Sequence, residues 1–346
     1  MGACAHERPV GCDTNQNMPD PQPRPTIMDV ARQAGVSKSL VSLALRGDPG
    51  VSASSRDRIR TIATDLGYHS NRLARALARG RSQLVGVVLN DLHSDHHTDV
   101  VAGLEDAAAE RGIEILIAHG RRDPATLAQR IDSLAALGTD GIVVVSALLD
   151  SAELERAAAR YPLVQVGRPN EVGSAVAAVY NDDEHGTFLA LEHLRAHGHE
   201  RIAHLTGSPR AAAQARRRAY LELMIRDGLN PAVFEDAARL IDFVRSAPET
   251  APTAVYCATD RRAVEVVGVA LDAGLHLPAD LSVVGYDNSD VARLVRPQVT
   301  SLDQPRLLIG QRALQLLEDV IGGAAPRIDV VEPSLVVRSS VGPPRS

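Results

Sequence analysis

The sequence predicts two unlike parts: a small all-α helix-turn-helix unit near its start and, after it, an α/β body of two doubly wound subdomains. Three observations carry this. Between Thr26 and Gly67 apolar residues recur at helical spacing in three short runs separated by glycine-containing turns. From Leu84 onward short β-branched runs alternate with helix-length amphipathic segments, the rhythm of parallel strands joined by crossover helices. Charge is also shared unevenly. Residues 26–82 hold ten Lys and Arg against four Asp, a local balance of +6 in a chain whose net charge is −6, so the remainder carries −12. A cationic module on an anionic body suits a molecule that grips phosphates with one part and keeps the other away from them.

The first helix is predicted to start at Thr26, with Asp29 three positions on as a capping box and Val30, Ala31 and Ala34 as its apolar face. Ala34-Gly35 allows a tight turn into a second helix capped by Ser37, with Leu40, Val41, Ala44 and Leu45 at helical spacing before Gly47. Gly47-Asp48-Pro49-Gly50 reads as a loop. Ser52 then caps a third helix whose Ile59, Ile62, Ala63 and Leu66 form a buried stripe ending at Gly67. Three short helices about so small a core make the unit whose second motif helix enters the major groove of DNA.

These residues fall in a dense pattern: Thr26-Ile27, Asp29-Val30-Ala31, Ala34-Gly35-Val36-Ser37, Val41-Ser42, Val51-Ser52, Arg56, Leu66-Gly67-Tyr68, Asn71, Leu73-Ala74-Arg75 and Leu77. In that register the segment resembles the DNA-binding headpiece of the lactose repressor and galactose repressor family of bacterial transcription regulators. The resemblance implies a sequence-specific regulator, usually a repressor, that binds a near-palindromic operator as a homodimer. Lys38, Ser39 and Ser42 are then expected on the exposed face of the second helix, at base edges or nearby phosphates. Thr26, Ser37 and Asn71 are expected to position the backbone, with Ser37 equally explained as a cap, and Arg72 and Ala74 belong to the same DNA-binding hinge. Leu77 matches the leucine that relatives push into the minor groove, and packing between hinge helices is its plainer explanation. Two positions depart from the pattern. Leu43 stands where many relatives have a guanine-reading arginine, and Ser70 replaces the common hinge proline.

In the body, strands are predicted at Leu84–Leu89, Ile113–Ala118, Gly141–Val145, Leu163–Val166, Ala175–Val179, Ile202–Leu205, Thr253–Cys257 and Leu281–Val284. About 260 residues of this alternation is large for one sheet and natural for two similar subdomains. The resemblance extends here and implies a periplasmic-binding-protein-like type I effector domain, with crossovers near Asn181 and Asp303. The expected organisation is an extension, 1–25, disordered; helix-turn-helix, 26–69; hinge, 70–82; effector and dimerisation domain, 83–340; and a tail, 341–346. Within the effector domain, subdomain 1 is expected at 83–180 and 305–340 and subdomain 2 at 181–304. Between Gly228 and Thr253 there is too little sequence for the usual extra strand, since Asn230-Pro231 leads into a helix read as Ala232 to Arg245.

Open α/β sheets bind ligands at the carboxyl ends of their strands. By position, a cleft between the subdomains should be lined by Asn90, His93, His96, Arg168, Arg216, Thr259, Asp287 and Gln304. Arg216 and Asp287 occupy the arginine and acidic residues of the family's phrases. Facing across a cleft, such a pair holds hydroxyls or a polar heterocycle, or else pairs only with itself as a closure salt bridge. Thr259 replaces a common asparagine. With no Trp and three Phe, stacking rings of the kind many sugar sites use are scarce. The effector class read here is a sugar or nucleoside-like small molecule, and an effector-independent regulator stands beside it as an alternative.

Other chemistry is poorly supported. His193 and His197 lie four apart on a predicted helix, and His93, His96 and His97 cluster after the first strand, but no carboxylate or cysteine completes a metal spacing. No nucleophile elbow, phosphate loop or Cys-x-x-Cys motif is present. No cofactor, metal or catalytic residue is therefore expected. Cys4, Cys12 and Cys257 make no disulfide framework, residues 1–25 lack a signal-peptide apolar core, and no stretch has the roughly twenty apolar residues of a membrane span. The expectation is a cytoplasmic dimer with no membrane partner and no tetramer-forming tail. The rival reading is a solute-binding or sugar-processing protein of the same architecture, in which the first unit has no operator-binding role.

Overall fold

The computed structural model describes residues 25–68, 81–146, 148–170 and 175–345. It divides into two compact units, residues 1–78 and 79–346. Among the described residues the first holds three helices, α1 (Ile27–Ala34), α2 (Lys38–Arg46) and α3 (Ala53–Asp65). Their starts follow the expected caps: Asp29 Oδ2 accepts from the Thr26 amide at 2.9 Å, Ser37 Oγ from the Leu40 amide at 3.2 Å, and Ser52 Oγ from the Ser55 amide at 3.2 Å. Gly35 (φ 64°) and Gly47 (φ 78°) take the left-handed conformation that ends α1 and α2. Val30, Ala31, Ala34, Val41, Ala44, Ile59 and Ala63 form the core, with Leu40 and Leu45 only half-buried.

The second unit has two six-stranded sheets. In chain order its elements are β1 (Leu84–Leu89), α4 (Asp95–Arg111), β2 (Glu114–His119), α5 (Pro124–Ala136), β3 (Gly141–Val145), α6 (Ser151–Ala158), β4 (Leu163–Val166) and β5 (Ala177–Asn181). Then come α7 (Asp183–Ala196), β6 (Ile202–Leu205), α8 (Ala211–Arg226), β7 (Ala232–Phe234), α9 (Ala237–Ser246), β8 (Ala254–Cys257), α10 (Asp260–Asp272), β9 (Ser282–Tyr286) and α11 (Asp290–Leu294). The chain ends with β10 (Thr300–Asp303), α12 (Arg306–Ile321), β11 (Ile328–Val331) and β12 (Ser334–Val336).

The first sheet runs β11-β5-β4-β3-β1-β2 and is parallel throughout; the second runs β12-β10-β9-β8-β6-β7, parallel except for β12 against β10. Strands buried on both faces explain why they read as continuous apolar runs. Val85, Val87, Leu89, Val143 and Val145 pack with α4 and α12 on one face of the first sheet, whereas Val88, Ile142 and Val144 pack with α5 and α6 on the other. The second sheet is covered likewise by α9 and α10 on one face and by α7 and α8 on the other. α4 and α12 approach so closely that a Cβ on Gly310 would lie 2.1 Å from the Val100 carbonyl oxygen.

The crossovers lie where expected: β5 ends at Asn181 in the first sheet and α7 packs on the second, while β10 ends at Asp303 in the second and α12 returns to the first. Two expectations are corrected. The segment 305–340 does not belong wholly to the first subdomain. After β11 the chain crosses a third time, and β12 pairs antiparallel with β10, Leu302 opposite Leu335. The edge strand thought to be missing exists: Ala232, Val233 and Phe234 pair with Ala203, His204 and Leu205, and the helix starts later, at Ala237 with Asp236 as its cap. The exposed edge of β6 recruits these residues, a tertiary demand that three residues of local sequence do not announce. Among the described residues no helix is long and apolar enough to cross a membrane.

Candidate functional site

In the helical unit, Lys38 and Ser39 are exposed on the first turn of α2 and Ser42 is half-buried one turn further. Leu43, the position of the departure, is also half-buried. Several cations that charge counting assigns to phosphates serve the fold instead. Arg58 Nη2 donates to the Ala34 carbonyl at 3.0 Å, closing the end of α1, and Arg56 Nη2 donates to the Asp48 carbonyl at 2.8 Å. Arg46 pairs with Asp48 at 2.8 Å and Arg32 with Asp29 at 3.0 Å. Among the described residues, Lys38 and Arg60 have no such intramolecular partner. Asn71, Arg72, Ala74 and Leu77, with Ser70, lie outside the described residues.

The second unit contains a cavity of about 240 Å³ whose wall comes from both sheets. Each sheet reverses its strand order once, between β1 and β3 in the first and between β6 and β8 in the second. The residues that line the cavity follow the carboxyl ends of those strands: Asn90 after β1, Ser146 after β3, Ser208 beyond β6 and Thr259 beyond β8. Crevices at such reversal points are where helices diverge and backbone amides are left for a ligand. Arg168 beyond β4, Asn181 at the end of β5, Asp287 after β9 and Gln304 after β10 complete the ring.

Seven of the eight expected positions are thus brought together: Asn90, His96, Arg168, Arg216, Thr259, Asp287 and Gln304. His93 is not. The chain turns at Leu92-His93, the His93 amide donates to Asp91 Oδ1 at 3.0 Å, and the residue is exposed, while His96 and His97 in the first turn of α4 reach the cavity. Thr259 also caps α10, its Oγ1 accepting from the Arg262 amide at 3.3 Å.

The electrostatic centre is a residue that sequence reasoning missed. Asp183, buried at the start of α7, accepts from Arg216 Nε at 2.8 Å through Oδ1 and from Arg168 Nε at 3.0 Å through Oδ2. A carboxylate just inside a helix N-terminus reads in sequence as macrodipole compensation, which hides its second task. Arg216 also donates through Nη1 to the Ala258 carbonyl at 2.6 Å and stacks 3.4 Å from the Tyr286 ring centroid; Asp287 is 4.0 Å away. Arg216 and Asp287 therefore do not satisfy one another as a closed pair. Burial opposes the charge on Arg216, yet Asp183 foremost holds its pKa well above the usual arginine range. Arg168 pairs with Glu184 as well and covers one face of Tyr180.

Asp287 is positioned by strain that its neighbours offset. It and Asn288 have φ of 109° and 48°, a region that side chains rarely occupy. The loop is held by Asp260, whose Oδ2 accepts from the Ser289 amide at 2.7 Å, and by Ser301 Oγ, which accepts from the Asn288 amide at 3.0 Å. Gln304 Nε2 donates to Asp287 Oδ1 at 2.6 Å. Burial pushes the Asp287 carboxyl up to about 7, against the pull of Arg216. Burial, aided by the positive charge of His97, Arg306 and Arg216, pushes His96 down to about 3, so its ring is neutral. Among the described residues, three polar atoms of residues in the wall are buried without a partner: Asn90 Oδ1, Asn181 Oδ1 and His96 Nδ1. An orphaned buried amide oxygen costs about 1–3 kcal/mol, so these atoms call for a hydrogen-bond donor from outside the described residues. Of the histidines four apart, His197 Nδ1 pairs with the His193 carbonyl at 2.8 Å, and among the described residues no group of three ligating side chains occurs.

Comparison with known proteins agrees with this architecture. A model of the lacI family of bacterial regulatory proteins matches residues 26–71, and a periplasmic binding protein-like domain matches residues 191–341. The transcriptional regulator GalR of Escherichia coli (strain K12) is 31% identical over 338 residues, 92% of this chain and 96% of GalR. Catabolite control protein A of Priestia megaterium is 29% identical over 303 residues, 84% of this chain and 91% of that protein. The crystal structure of the lac repressor dimer bound to operator and the anti-inducer ONPF shares the fold with a TM-score of 0.82 at 26% identity, covering 92% of this chain and 100% of that one. With a capped three-helix unit, a double parallel sheet and relatives spanning nearly its whole length, the chain belongs to the lacI family of bacterial regulatory proteins and is a DNA-binding transcriptional regulator.

Proposed function

We propose that this regulator works in the cytoplasm as a homodimeric repressor that grips a near-palindromic operator, and that a small polar ligand in the cavity between its sheets sets the strength of that grip. The observation that carries the ligand half is the orphaned Asn90 and Asn181 oxygens in a wall built from the strand ends of both sheets. They favour an effector over effector-independent action. The cavity bridges two subdomains joined by three crossovers, so a ligand that touches both biases their relative closure, and closure is the state change that alters operator affinity. Lys38, Ser39 and Ser42 take the major groove, Thr26 and Ser37 the backbone, and Leu77 the central minor groove, with Asn71, Arg72 and Ala74 beside it. The lac repressor comparison, a dimer on operator with a small ligand, supports this reading.

Selection of bound duplexes from a random pool with the full-length protein tests it. Enrichment of a two-fold-symmetric sequence is expected, and enrichment of none overturns the operator reading. Leu77→Ala should weaken binding to the selected site more than to random DNA, because the wedge acts only on bent duplex. Equal losses on both would remove Leu77 from that role.

A further inference from the structure

The cavity is built for negative charge. Of the helices of eight residues or more among the described part of the second unit, five have a side-chain cap, from Asp123, Asp150, Asp182, Asp236 and Thr259. Three do not: α4, α8 and α12. All three uncapped starts meet at the cavity, α4 through Ser94, His96 and His97, α8 through Arg210, Ala212 and Ala213, and α12 through Gln304 and Ile309. First-turn amides have no acceptor within their own helix and carry the positive end of its dipole, so caps elsewhere and none here leave such donors for something else, apart from the His97 and Arg306 amides, which donate to the Ser94 carbonyl at 2.9 Å and the Gln304 carbonyl at 2.7 Å.

Side chains point the same way. Among the described residues, the wall holds Arg168, Arg210 and Arg216 against two carboxylates. Asp183 is consumed between Arg168 and Arg216, and Asp287 is held by Gln304. Arg216 Nη2 has no hydrogen bond, and Arg210 has no ion pair, among the described residues. Burial is the main reason that the His96 and His97 rings resist protonation, and positive charge adds to it, from Arg306 and Arg216 at His96 and from Arg210 at His97. Independently of the helix ends, Asn90, 2% exposed, lines the same space, and its buried amide oxygen has no partner among the described residues, so the side chain calls for a hydroxyl donor.

We propose that the effector is a small polyhydroxylated molecule carrying an anionic group, of the sugar-phosphate class, with Arg210 and the open ends of α4 and α8 holding the anion and Asn90 and Asn181 holding hydroxyls. This rests on the reading of the cavity as an effector site. The anion cannot enter without approaching both subdomains, since α4 belongs to the first sheet and α8 to the second, so the charge itself favours closure.

Calorimetric titration of the full-length protein decides it, using glucose, galactose and ribose, then glucose 6-phosphate, galactose 1-phosphate and ribose 5-phosphate, then inorganic phosphate alone. At least one phosphorylated sugar should bind about tenfold or more tightly than its neutral parent and than inorganic phosphate. Arg210→Gln, an exposed change that leaves the buried Asp183 network intact, should lose most of that preference. A neutral sugar that binds more tightly than its phosphate, inorganic phosphate that binds as well as any sugar phosphate, a preference untouched by Arg210→Gln, or no binding by any phosphorylated sugar each overturns the proposal. None of these affects operator selection, which is measured without ligand, so the regulator reading stands or falls separately.

Discussion

Replacing Asp183 with alanine strands a buried guanidinium. The Arg216 side chain is 6% exposed and that of Asp183 2%, and their hydrogen bond of 2.8 Å is the shortest ion pair Arg216 makes. Removing one member of a buried pair costs about 3–5 kcal/mol, because the remaining charge keeps its desolvation penalty without its partner. Three contacts soften the loss: the Ala258 carbonyl at 2.6 Å, the Tyr286 ring at 3.4 Å and Asp287 at 4.0 Å. Arg168 also loses a partner but retains Glu184. The lower end, about 3 kcal/mol, is therefore expected, equivalent to roughly 6–12 °C in a domain of this size. Thermal and urea denaturation of the wild type, Asp183→Ala and Asp183→Asn measure it, the asparagine showing how much is hydrogen bonding and how much is charge. A loss below about 1 kcal/mol for Asp183→Ala would refute the reasoning, since that is the scale of a solvent-exposed pair and would mean that Asp287 and Tyr286 carry the Arg216 charge.

Asp287 supplies a pH test. Burial raises its carboxyl from 3.8 to about 7 in the folded state, so between those values the native protein holds a proton that the unfolded chain has released. Stability from this group is full below about pH 4, falls as pH rises and is gone above about 7, by at most about 4 kcal/mol. Asp287→Asn should flatten that slope in urea unfolding measured at several pH values, and an unchanged slope would remove the assignment. Gly310→Ala places a Cβ 2.1 Å from the Val100 carbonyl oxygen and 2.8 Å from the Leu104 amide, backbone that cannot yield, and should cost about 1–3 kcal/mol or more. Gly268→Ala, with nothing within 4 Å in mid-α10, should instead stabilise by about 0.5–1 kcal/mol in the same denaturation assay. Lys38→Ala should weaken DNA binding with the slope of log affinity against log salt reduced by about one, whereas Arg58→Ala should act by loosening α1 and lower the melting temperature.

The helical unit was legible residue by residue. Ser37 and Ser52 as caps, Gly35 and Gly47 as stops and Val41, Ala44 and Ile59 as core are consequences of local hydrogen bonding and of a 3.6-residue period, both written within a few positions of each residue. The long β-branched strands were legible for a related reason: a strand buried on both faces must be apolar throughout. Arg56 and Arg58 were not, because an arginine's charge is visible in sequence whereas the carbonyl it meets eight or twenty-four residues away is not.

The sequence by itself therefore determined the three capped helices and the alternating strands, which follow from periodicity, and several cavity positions, which stand just past a strand, while the class of the molecule and the positions of Arg216 and Asp287 came from its resemblance to a family. Tertiary structure alone decided the rest. β7 exists because β6 offers an unpaired edge, and β12 joins the second sheet because β10 does the same; three-residue strands have no period to read. His93 turns outward because the backbone turns there. Asp183 becomes the anchor of Arg168 and Arg216, residues fifteen and thirty-three positions from it, because folding buries two cations beside one carboxylate, and burial makes each charge depend on its neighbours.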